Sequence, residues 1–129
     1  MKTISLKPPW PYAIFHLGKD IENRDMAFKH RGLLCIHSSK TWDRMGYLYI
    51  KRNMGIDIPD IEYHTFGRLE GVVEVIDCVD TSDSKWFFGK WGLVLKDPLE
   101  FKEKPEYRGM PGLFDVPDEL IRNAMEEVQ

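Results

Sequence analysis

Apolar residues recur along this chain at two spacings, and the spacing changes from segment to segment. The opening "MKTISL" reads as a short strand, halted by the prolines of "KPPWP". Pro11 suits the first turn of a helix, so "PYAIFHL" is expected to be helical and to end at Gly18. "KDIENR" follows as a strand. "RGLLCIHSS" is a clearer one, with Leu33, Cys35 and His37 on one face and Leu34, Ile36 and Ser38 on the other. The run "SSKTWDRMGYLYIKRNMG" then predicts a helix capped by Ser39 or Thr41 and stopped by Gly55. Trp42, Met45 and Tyr49 would form its apolar stripe. Gly46 in its middle opposes that reading by ~1 kcal/mol relative to Ala.

The second half begins with "RLEGVVEVIDCV", the strongest strand pattern in the chain. Simple alternation puts Leu69, Val73, Val75 and Val79 on one face. Val72, Ile76 and Cys78 share the other with Glu70 and Glu74. Two largely apolar faces predict a strand packed on both sides. "KWFFGKWGLVLKDPLEF" predicts further strands broken by Gly89, Gly92 and Pro98. "VPDELIRNAMEEV" predicts a closing helix that starts at Pro117 and carries Leu120, Ala124 and Val128 as its stripe. Together these elements predict one α+β domain over residues 1–129, a small β-barrel flanked by two or three helices.

With 129 residues, 43% of them hydrophobic and 30% charged, the chain is long enough for one continuous core and too apolar for a disordered tail. No apolar run approaches the roughly 18 residues that span a bilayer. "MKTISLKPPW" lacks the apolar stretch of a secretory leader. Cys35 and Cys78 each sit within an apolar run and read as free buried thiols, so a cytoplasmic location is expected. The net charge of −3 hides an asymmetry: residues 1–55 hold ten Lys/Arg against four Asp/Glu, whereas residues 56–129 hold eight against seventeen. A basic half favours an anionic partner on one surface, and an acidic half leaves a protein partner open.

The densest polar cluster is "LGKDIENRDM" at residues 17–26, in the basic half. By strand alternation Asp20, Glu22 and Arg24 share a face. Lys19 reaches them only from a turn or bulge after Gly18. By themselves Glu22 and Arg24 read as an ion pair on a solvated strand. Ser38, Ser39 and Lys40, at a strand-to-helix junction, suit either an anion or a simple helix cap. Trp10 and Trp42 flank these polar segments and are candidates for stacking on bases, whereas Trp86 and Trp91 read as core. Glu74, on an apolar face, would be a general acid or base if buried unpaired. The four histidines and two cysteines lack metal-ligand spacing, so no metal or other cofactor is expected. There is no Gly-rich triphosphate loop, and no serine, cysteine or histidine arrangement suggests a nucleophilic triad.

In order along the chain, "SLKPPWPYAI", "GKDIENR", "RGLLCIHSSK", "GVVEVIDCV", "WGLVLKDP" and "YRGMPGLFDVP" resemble the segments of ASCH domains, which have PUA-like folds. The resemblance covers nearly the whole chain. It implies a barrel whose cleft is lined by a Lys-x-x-Glu-x-Arg motif, here Lys19, Glu22 and Arg24, and which binds RNA or a modified nucleotide. Arg24 would then clamp a phosphate or base edge, Glu22 would orient it, and Lys19 would supply a positive charge. One branch of the family is an N4-acetylcytidine amidohydrolase that pairs the lysine with a threonine and a distant acid. Here Glu22 stands in the threonine's place and the acid has no counterpart.

Two functions follow. The first is a module for RNA, single-stranded nucleic acid or a modified nucleotide, using Lys19, Glu22, Arg24, Ser38, Lys40, Trp10 and Trp42. The second is a small nucleoside or nucleic-acid hydrolase in which Lys19 and Glu22 are catalytic. A carboxylate beside Lys19 favours the charged lysine, which binds anions well and is a poor base, so binding is the expected role.

Overall fold

The computed structural model describes residues 1–126. Six strands form one curled sheet, a half-barrel: β1 (Lys2–Leu6), β2 (Ile21–Arg24), β3 (Gly32–Ser38), β4 (Arg68–Val79), β5 (Trp91–Glu100) and β6 (Leu113–Asp115). Their order is β2-β5-β4-β3-β1-β6, with β2 and β6 at its edges, and this curled half-barrel is compatible with the small barrel flanked by helices that the sequence predicts. Only β1 and β3 run parallel; every other pair is antiparallel.

Three helices, α1 (Trp10–His16), α2 (Arg44–Leu48) and α3 (Asp118–Glu126), complete the α+β fold. Among the described residues no helix is long and apolar enough to cross a membrane.

The sheet is packed on both faces, as the two apolar sides of β4 require. Ile14 of α1 packs with Ile4, Leu34, Ile36, Val73, Val75 and Leu93 on one side. Ile121 and Ala124 of α3 pack with Cys35, Leu69, Val72, Phe101 and Phe114 on the other. In α3, Ile121 is the deepest residue and Leu120 lies at its flank; Val128 falls outside the described residues.

Leu69 and Val72 share a face although alternation separates them. His37 pairs with Leu69 and Ile36 with Gly71, so Glu70 is an extra residue at a bulge, and the faces exchange there. A second slip against β5, between Val75 and Asp77, leaves Ile76 exposed and brings Cys78 to the Val73 side. Gly92 and Pro98 do not break β5. Pro98 sits beside a register shift, where Asp97 has φ of 53° and no ladder hydrogen bond is needed from the proline. The segment "KWFFGK" is a loop instead of a strand: Asn23 ties it down by donating to the Trp86 carbonyl (2.9 Å) and accepting from the Phe88 amide (2.8 Å).

The helix expected over residues 39–55 is much shorter. The Ser39 amide donates to Leu6 (2.8 Å) and the Asp43 amide to Pro8 (2.8 Å), so residues 39–43 are held to the end of β1. Asp43, not Ser39 or Thr41, caps α2 by accepting the Gly46 amide at 2.9 Å. The chain then widens into a π-helical turn over Tyr49–Asn53. Gly46 and Ile50 are buried, whereas Met45 is 76% exposed, so the apolar stripe expected at Trp42, Met45 and Tyr49 is not the packed face.

Candidate functional site

Lys19 does join Glu22, by the turn its sequence position requires. Gly18 adopts φ of 72°, and the Lys19 amide returns to the Ala13 carbonyl (3.1 Å), which ends α1 and turns the lysine inward. Its Nζ donates to the Ile21 carbonyl and lies 3.2 Å from Glu22 Oε1. It also sits over the Trp10 ring, 5.4 Å from the centroid. Lys19 is 3% exposed and Glu22 7%. Arg24 Nη1 is 3.5 Å from Glu22 Oε2, with the guanidinium over Phe28.

The crowded stretch is thus mostly self-satisfied. Asp20 accepts from Ser84 Oγ (2.6 Å), and Asn23 holds the loop before β5. Trp10 donates from Nε1 to Asp43 Oδ2 (2.8 Å) and lies against Gly46, leaving little indole free to stack on a base.

A cavity of about 920 Å³ lies elsewhere, at the C-terminal ends of β1 and β3. Its lining includes Lys7, Lys40, Arg108, Ser5, His37 and Phe66, and Glu106 is its one carboxylate. Neither Lys19, Glu22 nor Arg24 contributes to it. Lys40 and Ser39 line it, whereas Ser38 turns away and donates to Glu70 Oε2 (2.6 Å). The helix does not start beside these residues: α2 begins at Arg44, and Asp43 occupies its cap. Trp42 is half-buried among Tyr47, His64 and Phe66 and does not itself line the cavity.

A smaller cavity of about 110 Å³ lies between Tyr12, His16, His64, Glu70, Glu100 and Lys104. Lys104 Nζ bridges Glu70 Oε1 (3.0 Å) and Glu100 Oε2 (2.9 Å), and His16 pairs with Glu100 as well. Burial opposes the charge on Lys104, but its two carboxylate partners outweigh this and raise its pKa. Burial likewise works against the Glu100 carboxylate; Lys104 and His16 outweigh it, and the pKa is lowered. Glu70 also accepts from Thr65. The buried carboxylate of β4 is therefore Glu70, fully partnered, and not Glu74, which is half-buried opposite Lys96. Trp86 is core, as its sequence context suggested.

One arrangement was not visible in the sequence. Ser5 and His37 are register partners on the parallel strands β1 and β3, with Ser5 Oγ 2.8 Å from His37 Nδ1. His37 Nε2 lies 2.7 Å from the Tyr107 carbonyl. Burial lowers the His37 pKa, against the opposing effects of that carbonyl and of Glu70. A serine and a histidine 32 residues apart carry no local signal; only the parallel register of β1 against β3 joins them.

Among the described residues no three His, Cys, Asp or Glu side chains gather as metal ligands. No protein-family model matches the chain, and no curated protein matches it.

Proposed function

We propose that the chain is an ASCH-like module of PUA-like fold that binds single-stranded RNA or a modified nucleotide through the cavity at the ends of β1 and β3. The observation that carries this reading is the charge of that cavity: Lys7, Lys40 and Arg108 stand against Glu106 alone. A volume of about 920 Å³ suits a nucleotide-sized ligand. Phosphate oxygens would pair with the three cations, Arg108 offering the planar fork, and Phe66 and Tyr107 would meet a base. The ligand site is assigned to the cavity instead of Lys19, Glu22 and Arg24 because Lys19 and Glu22 are buried against each other and none of the three lines the cavity. An amine engaged by a carbonyl, a carboxylate and an indole face is also a poor nucleophile, which disfavours a hydrolase built on Lys19.

Fluorescence anisotropy of a short labelled single-stranded RNA, across a salt series, tests the assignment. Wild type should bind with a negative salt slope. Lys40→Ala and Arg108→Ala should each weaken binding and flatten the slope by about one. Arg24→Ala should bind as wild type does. Absence of binding by wild type, or loss confined to Arg24→Ala, overturns the reading.

A further inference from the structure

The contacts of His37 fix the proton order of the Ser5–His37 pair. A carbonyl only accepts, so the contact with Tyr107 places the imidazole proton on Nε2. In the neutral ring Nδ1 is then an acceptor, and the Ser5 hydroxyl donates to it at 2.8 Å. Hydroxyl, imidazole and an orienting oxygen thus stand in the sequence of nucleophile, general base and orienter.

The orienting end is itself fixed, because the Tyr107 amide donates to the Gly67 carbonyl at 3.0 Å. His37 is 1% exposed and sits edge-on to Phe114, which holds the ring plane. Gly109 crosses directly over the pair. A Cβ there would lie 2.7 Å from His37 Cε1 and 2.9 Å from Ser5 Oγ, so only glycine leaves the hydroxyl its room. Ser5, His37 and Gly109 all line the cavity at the ends of β1 and β3.

We propose that Ser5 and His37 form a nucleophile–base pair that hydrolyses a carboxylic ester of an anionic substrate seated among Lys7, Lys40 and Arg108. Ser5 Oγ attacks the acyl carbon while its proton passes to His37 Nδ1. The ester C–O bond then breaks, and the departing alkoxide takes that proton, leaving an acyl-serine. Water attacks the acyl carbon, gives a proton to Nδ1 and releases the acid; the proton returns to Ser5 Oγ. Ester and water become acid and alcohol, with no other reactant. Burial keeps His37 unprotonated at neutral pH, which suits a base. The anionic nature of the substrate rests on the binding reading above; the pair itself does not.

An uncharged fluorophosphonate tests the pair on the full chain, read by intact mass and peptide mapping. Its P–F bond breaks as a Ser5 O–P bond forms. Wild type should gain one adduct, at Ser5. Ser5→Ala should gain none while remaining folded, with a melting temperature lowered by the lost hydrogen bond to His37, and His37→Gln should label about 100-fold more slowly. Gly109→Ala should also abolish labelling. An unlabelled wild type, an adduct at another residue, or equal labelling of Ser5→Ala overturns the proposal. Titrating the same preparation with the labelled RNA separates the two readings. A labelled Ser5 without RNA binding leaves the pair and removes the anionic substrate, whereas RNA binding with Ser5 unlabelled removes the pair alone.

Discussion

Lys19 and Glu22 form a buried ion pair, 3.2 Å from Nζ to Oε1, at the entrance to the edge strand β2. The pair lies between α1 and the sheet, beneath Trp10, and the Ile21 carbonyl takes another of the ammonium's protons. Removing one member leaves the other's charge without its partner in a place that water reaches poorly. Glu22→Ala is therefore expected to destabilise the fold by about 3 kcal/mol, as broken buried pairs commonly do. The double variant Lys19→Met, Glu22→Leu removes both charges and should be more stable than Glu22→Ala alone. Urea unfolding of the three proteins decides the matter. A Glu22→Ala midpoint close to that of wild type would show that the pair contributes no stability.

The same stretch shows how far sequence pattern reaches in this chain. Gly18 signals a helix end, and the turn it makes does bring Lys19 to Glu22. The two apolar faces of β4 likewise announce a sheet covered on both sides. What alternation misses is any place where the ladder gains a residue. The extra residues at Glu70 and near Ile76 each exchange the faces of β4, and they depend on pairing with β3 and β5. The region after Ser38 is likewise shaped by distant partners. Its amides bond to Leu6 and Pro8, partners more than 30 positions away, so no local cue shows that the helix starts only at Arg44. The Ser5–His37 contact is hidden for the same reason, since only the pairing of β1 with β3 makes it.

Gly46 looks unfavourable inside α2, yet the packing requires it. A Cβ at this position would lie 2.6 Å from Trp10 Cζ2 and 2.7 Å from Asp43 Oδ2. Gly46→Ala gains up to about 1 kcal/mol of helix propensity. It also displaces the indole and strains the Trp10–Asp43 hydrogen bond, which overpacking data place at about 1–3 kcal/mol. A net loss of stability is expected, together with altered tryptophan fluorescence. A rise in the melting temperature would show that Trp10 moves aside freely.

His37 and His64 should together make the fold sensitive to mild acid. Burial lowers both pKa values below the ordinary 6.5, although each ring contacts a backbone carbonyl. Below that ordinary value the unfolded chain takes up protons that the folded chain does not, so stability falls as pH drops. The loss begins near pH 6.5 and continues until the folded rings protonate. Glu100 acts in the same direction but lower, since its depressed pKa costs stability only as the pH falls below its ordinary 4.5. Thermal unfolding between about pH 7 and pH 5 should show a falling midpoint, with a shallower slope in His64→Gln. A flat profile across that window would exclude native-state depression of either histidine.

The two cysteines should differ sharply toward alkylating reagents. Both are free thiols, but Cys35 is fully buried beneath α3 with its pKa pushed up to about 12, first by desolvation. Alkylation proceeds through the thiolate, so Cys35 lacks both access and the reactive form. Cys78 is only half-buried, near the end of β4, where the register slip at Ile76 has turned it. Brief treatment of the native protein with iodoacetamide should add one carbamidomethyl group, located at Cys78 by peptide mapping. Denaturant should then expose the second site. Modification of Cys35 at a comparable rate under native conditions would mean that α3 separates readily from the sheet and that its packing against Phe114 and Leu69 is weak.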